Sequence, residues 1–162
     1  MRYLKVVIAL SAVALTASKC SRAQDAFLTA QLCVVDAAGV DELRTVMRTV
    51  AQSEGLEFID NSETTRRALK DIGADKASKN DAAALIIDFH IEGKRGLGVT
   101  AGNFGLPTYQ IALGFTEGVN ASKARRLANH LIQALSQRWR VETVPRATGV
   151  FPMSSCAGKP IR

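Results

Sequence analysis

Histidine is scarce in this chain: His90 and His130 are its two copies, so a serine triad would have to recruit one of them by accident of folding. Ser154 and Ser155 also lack any nucleophile-elbow context. The three cysteines, Cys20, Cys33 and Cys156, include no Cys-x-x-Cys pair, which removes the spacing of a thiol-disulfide oxidoreductase and of common metal sites. Aromatic residues are few, at 6%. Charge excess is also small once its position is considered. Four of the 21 Lys and Arg residues (Arg2, Lys5, Lys19, Arg22) stand in the first 23 positions, which hold no acid. The rest of the chain carries 17 basic against 15 acidic residues, a net +2 in place of the +6 of the whole. That excess gives nucleic acid little electrostatic footprint. No internal repeat and no low-complexity tract is present, and no cofactor motif emerges.

What is present begins at the N-terminus. Arg2 and Lys5 mark a short basic start, an apolar run follows from Val6 to Ala17, and a polar stretch ends in Ser21-Arg22-Ala23. This is the layout of a secretory signal peptide, and the run is too short to span a bilayer. The expected organisation is a leader over 1–23, one α/β domain over 24–144 and an irregular tail over 145–162. Localisation is then periplasmic or secreted.

Where the leader ends decides the thiol chemistry. Cleavage after Ala23 places the small residues Ser21 and Ala23 three and one before the cut and removes Cys20. Cleavage before Cys20 would instead make that residue a lipid anchor, although Lys19 and Ala17 fit a lipobox poorly. The first reading is favoured, and it leaves an even pair in an oxidising compartment, so a Cys33–Cys156 disulfide is expected. It would tether the tail to the first strand, and closing so long a loop is worth about 3 to 5 kcal/mol.

Apolar spacing sets out the domain. Gln31 to Asp36 reads as a strand covered on both faces. Asp41 to Glu54 places Leu43, Val46, Met47 and Val50 on one helical stripe ending at Gly55. Leu56 to Asp60 is a brief strand, and Ser62 opens a second helix expected to bury Ala68, Leu69 and Ile72 before Gly73. Ala74 to Asp81 is a polar connector. In Ala84 to Glu92, Leu85, Ile87, Phe89 and Ile91 alternate with Ile86, Asp88, His90 and Glu92, the period of a sheet with one packed and one polar face. Tyr109 to Thr116 alternates likewise. The two are expected to form a hairpin whose long tip holds five glycines from Gly93 to Gly105, with Pro107 at the entry to the second strand. Asn120 caps a strong helix with Ala124, Leu127, Ala128, Leu131, Ile132 and Leu135 in one stripe, and Trp139 to Val144 is the last strand. The predicted class is α+β: one mixed, largely antiparallel sheet in the order β-α-β-α-β-β-α-β, with helices mainly on one face.

Glu57-Phe58-Ile59-Asp60, then Arg67-Ala68-Leu69-Lys70-Asp71-Ile72-Gly73, then Ala83-Ala84-Leu85-Ile86-Ile87 combine a strand ending in Asp, a helix ending in Leu-x-x-x-Gly and an Ala-rich approach to an apolar strand. Over residues 56–91 this resembles small α/β modules of bacterial envelope lipoproteins, those of curli export and of penicillin-binding-protein activation. The resemblance implies a non-catalytic module that binds other envelope proteins.

Three groups of residues are candidates for function. Asp88, His90 and Glu92 project from one strand face about 7 Å apart in succession, a spacing at which two of them reach one metal; the plainer reading is a solvated sheet face. Gly93-Lys94-Arg95-Gly96-Leu97-Gly98 lacks the Lys-Ser or Lys-Thr ending of a phosphate loop and does not precede a helix, so it reads as a contact loop, with Lys94, Arg95, Asn103, Phe104 and Leu106 as binding residues. Arg125, Arg126, Arg138 and Arg140 bracket the long helix as a basic patch or simply as its wet face. The leading expectation is an envelope module that binds another protein through this loop and the neighbouring sheet face. Assembly, enzyme inhibition and immunity to a toxin all fit it. The alternative is a metal-dependent enzyme or small-ligand protein using Asp88, His90 and Glu92. Membrane contact is expected only through a lipidated Cys20.

Overall fold

The computed structural model describes residues 26–34, 36–72, 86–103 and 110–144. In chain order its elements are β1 (Leu28–Cys33), α1 (Ala37–Ser53), β2 (Glu57–Asp60), α2 (Ser62–Asp71), β3 (Asp88–Glu92), β4 (Leu97–Gly102), β5 (Gln110–Glu117), α3 (Ala121–Ser136) and β6 (Glu142–Val144). Among the described residues the strands form one open sheet in the order β2-β3-β4-β5-β1-β6. Every pairing is antiparallel. The α+β class with a largely antiparallel sheet is therefore the observed one.

The main departure from the sequence reading is β4. The glycine-rich stretch after Gly93 is not a long hairpin tip. It is a tight turn followed by a central strand, so β3 and β5 do not pair with each other but both pair with β4. Leu97-Gly98-Val99-Thr100-Ala101-Gly102 has weak strand propensity of its own, and it is ordered by ladders on both sides.

Helix α1 carries the chain from β1, in the sheet interior, to β2 at the edge. That crossing spans four inter-strand spacings, about 19 Å, and a helix of 17 residues, about 25 Å long, covers it. The helix starts four residues earlier than its apolar stripe suggested, because Asp36 caps it and accepts a 2.9 Å hydrogen bond from the Gly39 N–H. Asn120 caps α3 in the same way, accepting from the Lys123 N–H at 2.9 Å. Helices α1 and α3 pack on each other and on one sheet face. Leu43, Met47 and Val50 of α1 and Leu127, Leu131 and Leu135 of α3 are buried there against Phe89, Ile91, Leu113 and Phe115. Each such Leu contributes about 2 to 5 kcal/mol relative to Ala.

A polar contact fastens the two helices at one end. Glu54, just past α1, accepts from Arg126 Nε at 3.0 Å and contacts His130 Nδ1 at 3.1 Å, both on α3. The His130 hydrogen bond, followed by those of Arg126, outweighs burial and holds the Glu54 carboxyl below its ordinary range.

Helix α2 departs from expectation too. Its stripe is not in the core: Ala68 is exposed, Leu69 half-buried and Ile72 77% exposed. The expected cap Ser62 is the first helical residue, after Asn61, and its hydroxyl faces β3. Among the described residues no helix is long and apolar enough to cross a membrane.

Candidate functional site

Pairing register divides the sheet into two faces. Phe58, Ile91, Val99, Phe115 and Leu28 form one row of the helix-covered face, and Phe89, Ala101, Leu113 and Ala30 another. The second face alternates with it. Its rows run Asp88, Gly102, Ala112, Gln31; then Ile59, His90, Thr100, Gly114, Thr29; then Glu57, Glu92, Gly98, Thr116. Gln31 and Ala112 in the first row are buried. The open part of this face is the two rows beyond it, where Thr100, Glu92 and Glu57 are exposed.

Asp88 organises the boundary between the closed and open parts. Its Oδ2 accepts a 2.6 Å hydrogen bond from Thr65 Oγ1 of α2, and its Oδ1 lies 2.7 Å from His90 Nε2. Its backbone N–H donates to Ser62 Oγ at 3.1 Å, and its carbonyl accepts from the Asn61 N–H at 2.8 Å. Both carboxylate oxygens are therefore occupied by protein groups. An ionised carboxylate only accepts, so it fixes the proton of the His90 ring on Nε2. The first turn of α2 is thus the support that aims Asp88, and Asp88 in turn aims His90. That dependence was not visible in the sequence, since Thr65 and Asp88 are 23 residues apart.

Next to His90 lies an open depression of about 520 Å³ lined by His90, Glu92, Gly93, Gly96, Thr100 and Thr116 among others. Thr116 Oγ1 donates to the Gly96 carbonyl at 2.8 Å, which ties β5 to the turn at the end of β3. Glycines make its floor. A Cβ at Gly98 would stand 2.6 Å from the Ile91 carbonyl oxygen, so that close strand approach requires glycine.

The candidate residues separate. Asp88 and His90 come together, while Glu92 is one row away, opposite Glu57 and Gly98. Among the described residues no group of three or more His, Cys, Asp and Glu side chains is placed to hold a metal ion. Lys94 and Arg95 are exposed in a single 3-10 turn, Lys94–Gly96, where Arg95 has φ 58°. Asn103 is at the other end of β4, about 20 Å away for six residues of strand, buried, with Oδ1 accepting from the Ile87 N–H at 3.2 Å. It anchors the approach to β3. Lys94 and Arg95 thus stand at one end of β4 and Asn103 at the other, so the structure does not bring these residues of the expected loop site together. Phe104, Leu106, Cys20 and Cys156 lie outside the described residues, and Cys33 is half-buried at the end of β1.

Asp60 completes the electrostatics at the sheet edge. Burial raises its carboxyl pKa, but hydrogen bonds from Ser62 and from Arg44 Nε, the latter at 2.8 Å, together overcome that and leave it below the ordinary range. Arg44 also lies over the Phe89 ring at 5.2 Å, and Arg48 over Phe58 at 5.2 Å, so the α1 arginines shield the β2 side of the core. No protein-family model matches the chain and no curated protein matches it, and the functional reading is carried by the geometry of the open sheet face.

Proposed function

We propose that this chain is an exported bacterial envelope module that binds another protein through the open part of its second sheet face, around His90, Glu92, Thr100 and Thr116. The observation that carries this reading is an exposed sheet region, away from the described helices α1 and α3, with a supported polar group. Helices α1 and α3 cover one face, while His90, Thr100 and Glu92 stand on the other beside an open depression. The Thr65–Asp88–His90 chain holds the imidazole in one orientation, which lowers the ordering cost of a contact made there. A wide, shallow surface suits a macromolecule better than a small substrate, whose sites enclose most of the ligand. An assembly factor, an enzyme inhibitor and an immunity-type protein all belong to this class.

The export half of the reading rests on the leader, and with it goes the Cys33–Cys156 bridge. In support of a bridge at this position, Cys33 is disulfide-bonded, with its partner outside the described residues. Thiol labelling of the unfolded, unreduced mature chain is expected to find no free cysteine; two reactive thiols would refute the bridge. For the interface, Thr100→Arg and Glu92→Lys are the informative changes. Both residues are exposed, and neither side chain makes a hydrogen bond or ion pair among the described residues. Affinity capture from native envelope extract should recover a partner with the unaltered chain and lose it with Thr100→Arg. Equal recovery would remove this face from consideration. Deleting Lys94 to Phe104 would not be a clean test, since it removes a central strand.

A second reading has one observation in its favour: an Asp-oriented His beside a depression is also what a small-ligand or acid-base site uses. With Asp88 already bound on both oxygens, a metal there would have to rely on His90 and Glu92. Elemental analysis of protein purified without a histidine tag separates the two, because stoichiometric zinc would favour the enzyme.

A further inference from the structure

We infer that the end of the domain formed by the Lys94–Gly96 turn and the turn after β5 is a membrane-facing surface that contacts anionic phospholipid. Strand directions gather several features at that end. β1 is antiparallel to β5, with Leu28 opposite Phe115, so the chain enters the fold beside the end of β5. The β3–β4 turn lies at the same end, since Leu97 pairs with Glu117. Gly118 fits directly beneath that turn: a Cβ on it would stand 2.5 Å from the Leu97 nitrogen and 2.7 Å from the Arg95 carbonyl oxygen. Val119 follows, 69% exposed.

Lys94 and Arg95 belong to the turn seated on Gly118, and Lys123 and Arg125 follow Val119 in the first turns of α3. Arg125 is 3.8 Å from Glu117, a loose exposed pair, while Lys94, Arg95 and Lys123 make no ion pair among the described residues. Three further acids belong to this end of the sheet. Glu54 is bound to Arg126 and His130, and Glu57 and Glu92 face each other across β2 and β3 on the second sheet face. An exposed apolar side chain with basic groups on the segments either side of it suits a bilayer surface, where the apolar group enters the interface and the cations meet headgroups. It is far short of the roughly 800 Å² that each partner of a stable protein complex buries.

Chain length bears on the lipid-anchored alternative. Ala26 is six positions after Cys20, a reach of about 20 Å at most. A domain anchored at Cys20 would hold this end against its membrane; a domain released by cleavage after Ala23 would keep the same basic end for reversible contact. The inference rests on the export reading, but its test does not.

The test is co-sedimentation of the chain from Gln24 onward with vesicles of phosphatidylethanolamine, with and without phosphatidylglycerol, at low and high salt. Binding is expected only with phosphatidylglycerol and is expected to fall with salt. Each basic side chain near an anionic surface is worth roughly five-fold in affinity, so Lys94→Gln with Arg95→Asn should weaken binding about 25-fold. Asn is chosen because it tolerates the positive φ of Arg95. Val119→Asp should weaken it further. Arg67→Gln with Lys70→Gln, the same charge loss on α2, whose first turn sits at the Asp88 end of β3, should leave it unchanged. Equal binding to vesicles without phosphatidylglycerol, or equal loss in the α2 variant, would overturn the inference. So would an absence of binding to phosphatidylglycerol vesicles at low salt. A product found in the cytosol with its leader attached would sink export and leave the vesicle result standing.

Discussion

Three glycines give a graded test of whether the β3–β4 turn is seated on the turn after β5. Gly55 and Gly118 share nearly the same backbone conformation, φ +63° and +58°, but a Cβ at Gly55 meets nothing within 4 Å, whereas at Gly118 it meets three backbone atoms at 2.5, 2.7 and 2.9 Å. Gly55→Ala therefore isolates the cost of the left-handed conformation. That is about 1 to 2 kcal/mol, offset by up to about 1 kcal/mol from the stiffer unfolded chain. Gly118→Ala adds an overlap that no side-chain rotation relieves, since the atoms belong to Arg95, Gly96 and Leu97 backbone. Overpacking of that kind costs about 1 to 3 kcal/mol more. Gly114 in β5 is the third case: its added Cβ would lie 3.7 Å from the Ala26 Cβ, an ordinary contact at an ordinary φ. Gly114→Ala should be neutral, or stabilising by up to about 1 kcal/mol. Urea denaturation followed by circular dichroism measures all three. At an m-value of about 1.5 kcal/mol per molar, Gly118→Ala should lose roughly 1 to 2 M in midpoint, Gly55→Ala about half a molar and Gly114→Ala nothing. Equal midpoints for the Gly118 and Gly55 variants would refute the seating of one turn on the other, and with it the geometry of the lipid-facing end.

Other perturbations probe the helix pair, the His90 support and the core. Glu54 has a lowered carboxyl pKa, so its contribution to stability is present above its ordinary value of 4.5 and disappears as pH falls through the folded value below that. Glu54→Gln should destabilise the protein near neutrality, and its difference from the unaltered chain should shrink in acid denaturation series; a pH-independent difference would reject the ionic origin. Thr65→Val leaves one oxygen of Asp88 without its donor and is expected to cost about 1 to 3 kcal/mol. It should also shift the His90 ring signals in NMR, which a purely local loss in α2 would leave in place. Leu131→Ala, at a fully buried site between α3 and the sheet, should cost about 2 to 5 kcal/mol by thermal or urea unfolding.

Legibility in the sequence followed the strength of local signals. α3 was readable because Asn120 and an uninterrupted apolar stripe state its start and its buried face together. The polar and packed faces of β3 were readable for the same reason, a period of two from Asp88 to Glu92. α2 misled: Ala68, Leu69 and Ile72 have core spacing, yet the helix serves β3 through Ser62 and Thr65, whose role depends on a residue over twenty positions away. At the candidate site, the shared face of Asp88, His90 and Glu92 followed from strand periodicity, but their chemistry did not. Hydrogen bonding through Thr65 and Asp88 distinguishes His90 from an ordinary solvated side chain, and it depends on tertiary contact.

The amino-acid order alone determined the α+β class, the alternation of β3 and β5, and the capped start of α3, because caps and periodicities act within a few residues. Tertiary structure decided that Gly93 to Asn103 is a turn and a central strand with Lys94 and Arg95 at one end and Asn103 at the other. It also decided which face stays open. A strand of small residues and glycines has no periodic signal to read, and its hydrogen bonds go to neighbours that only the folded sheet supplies.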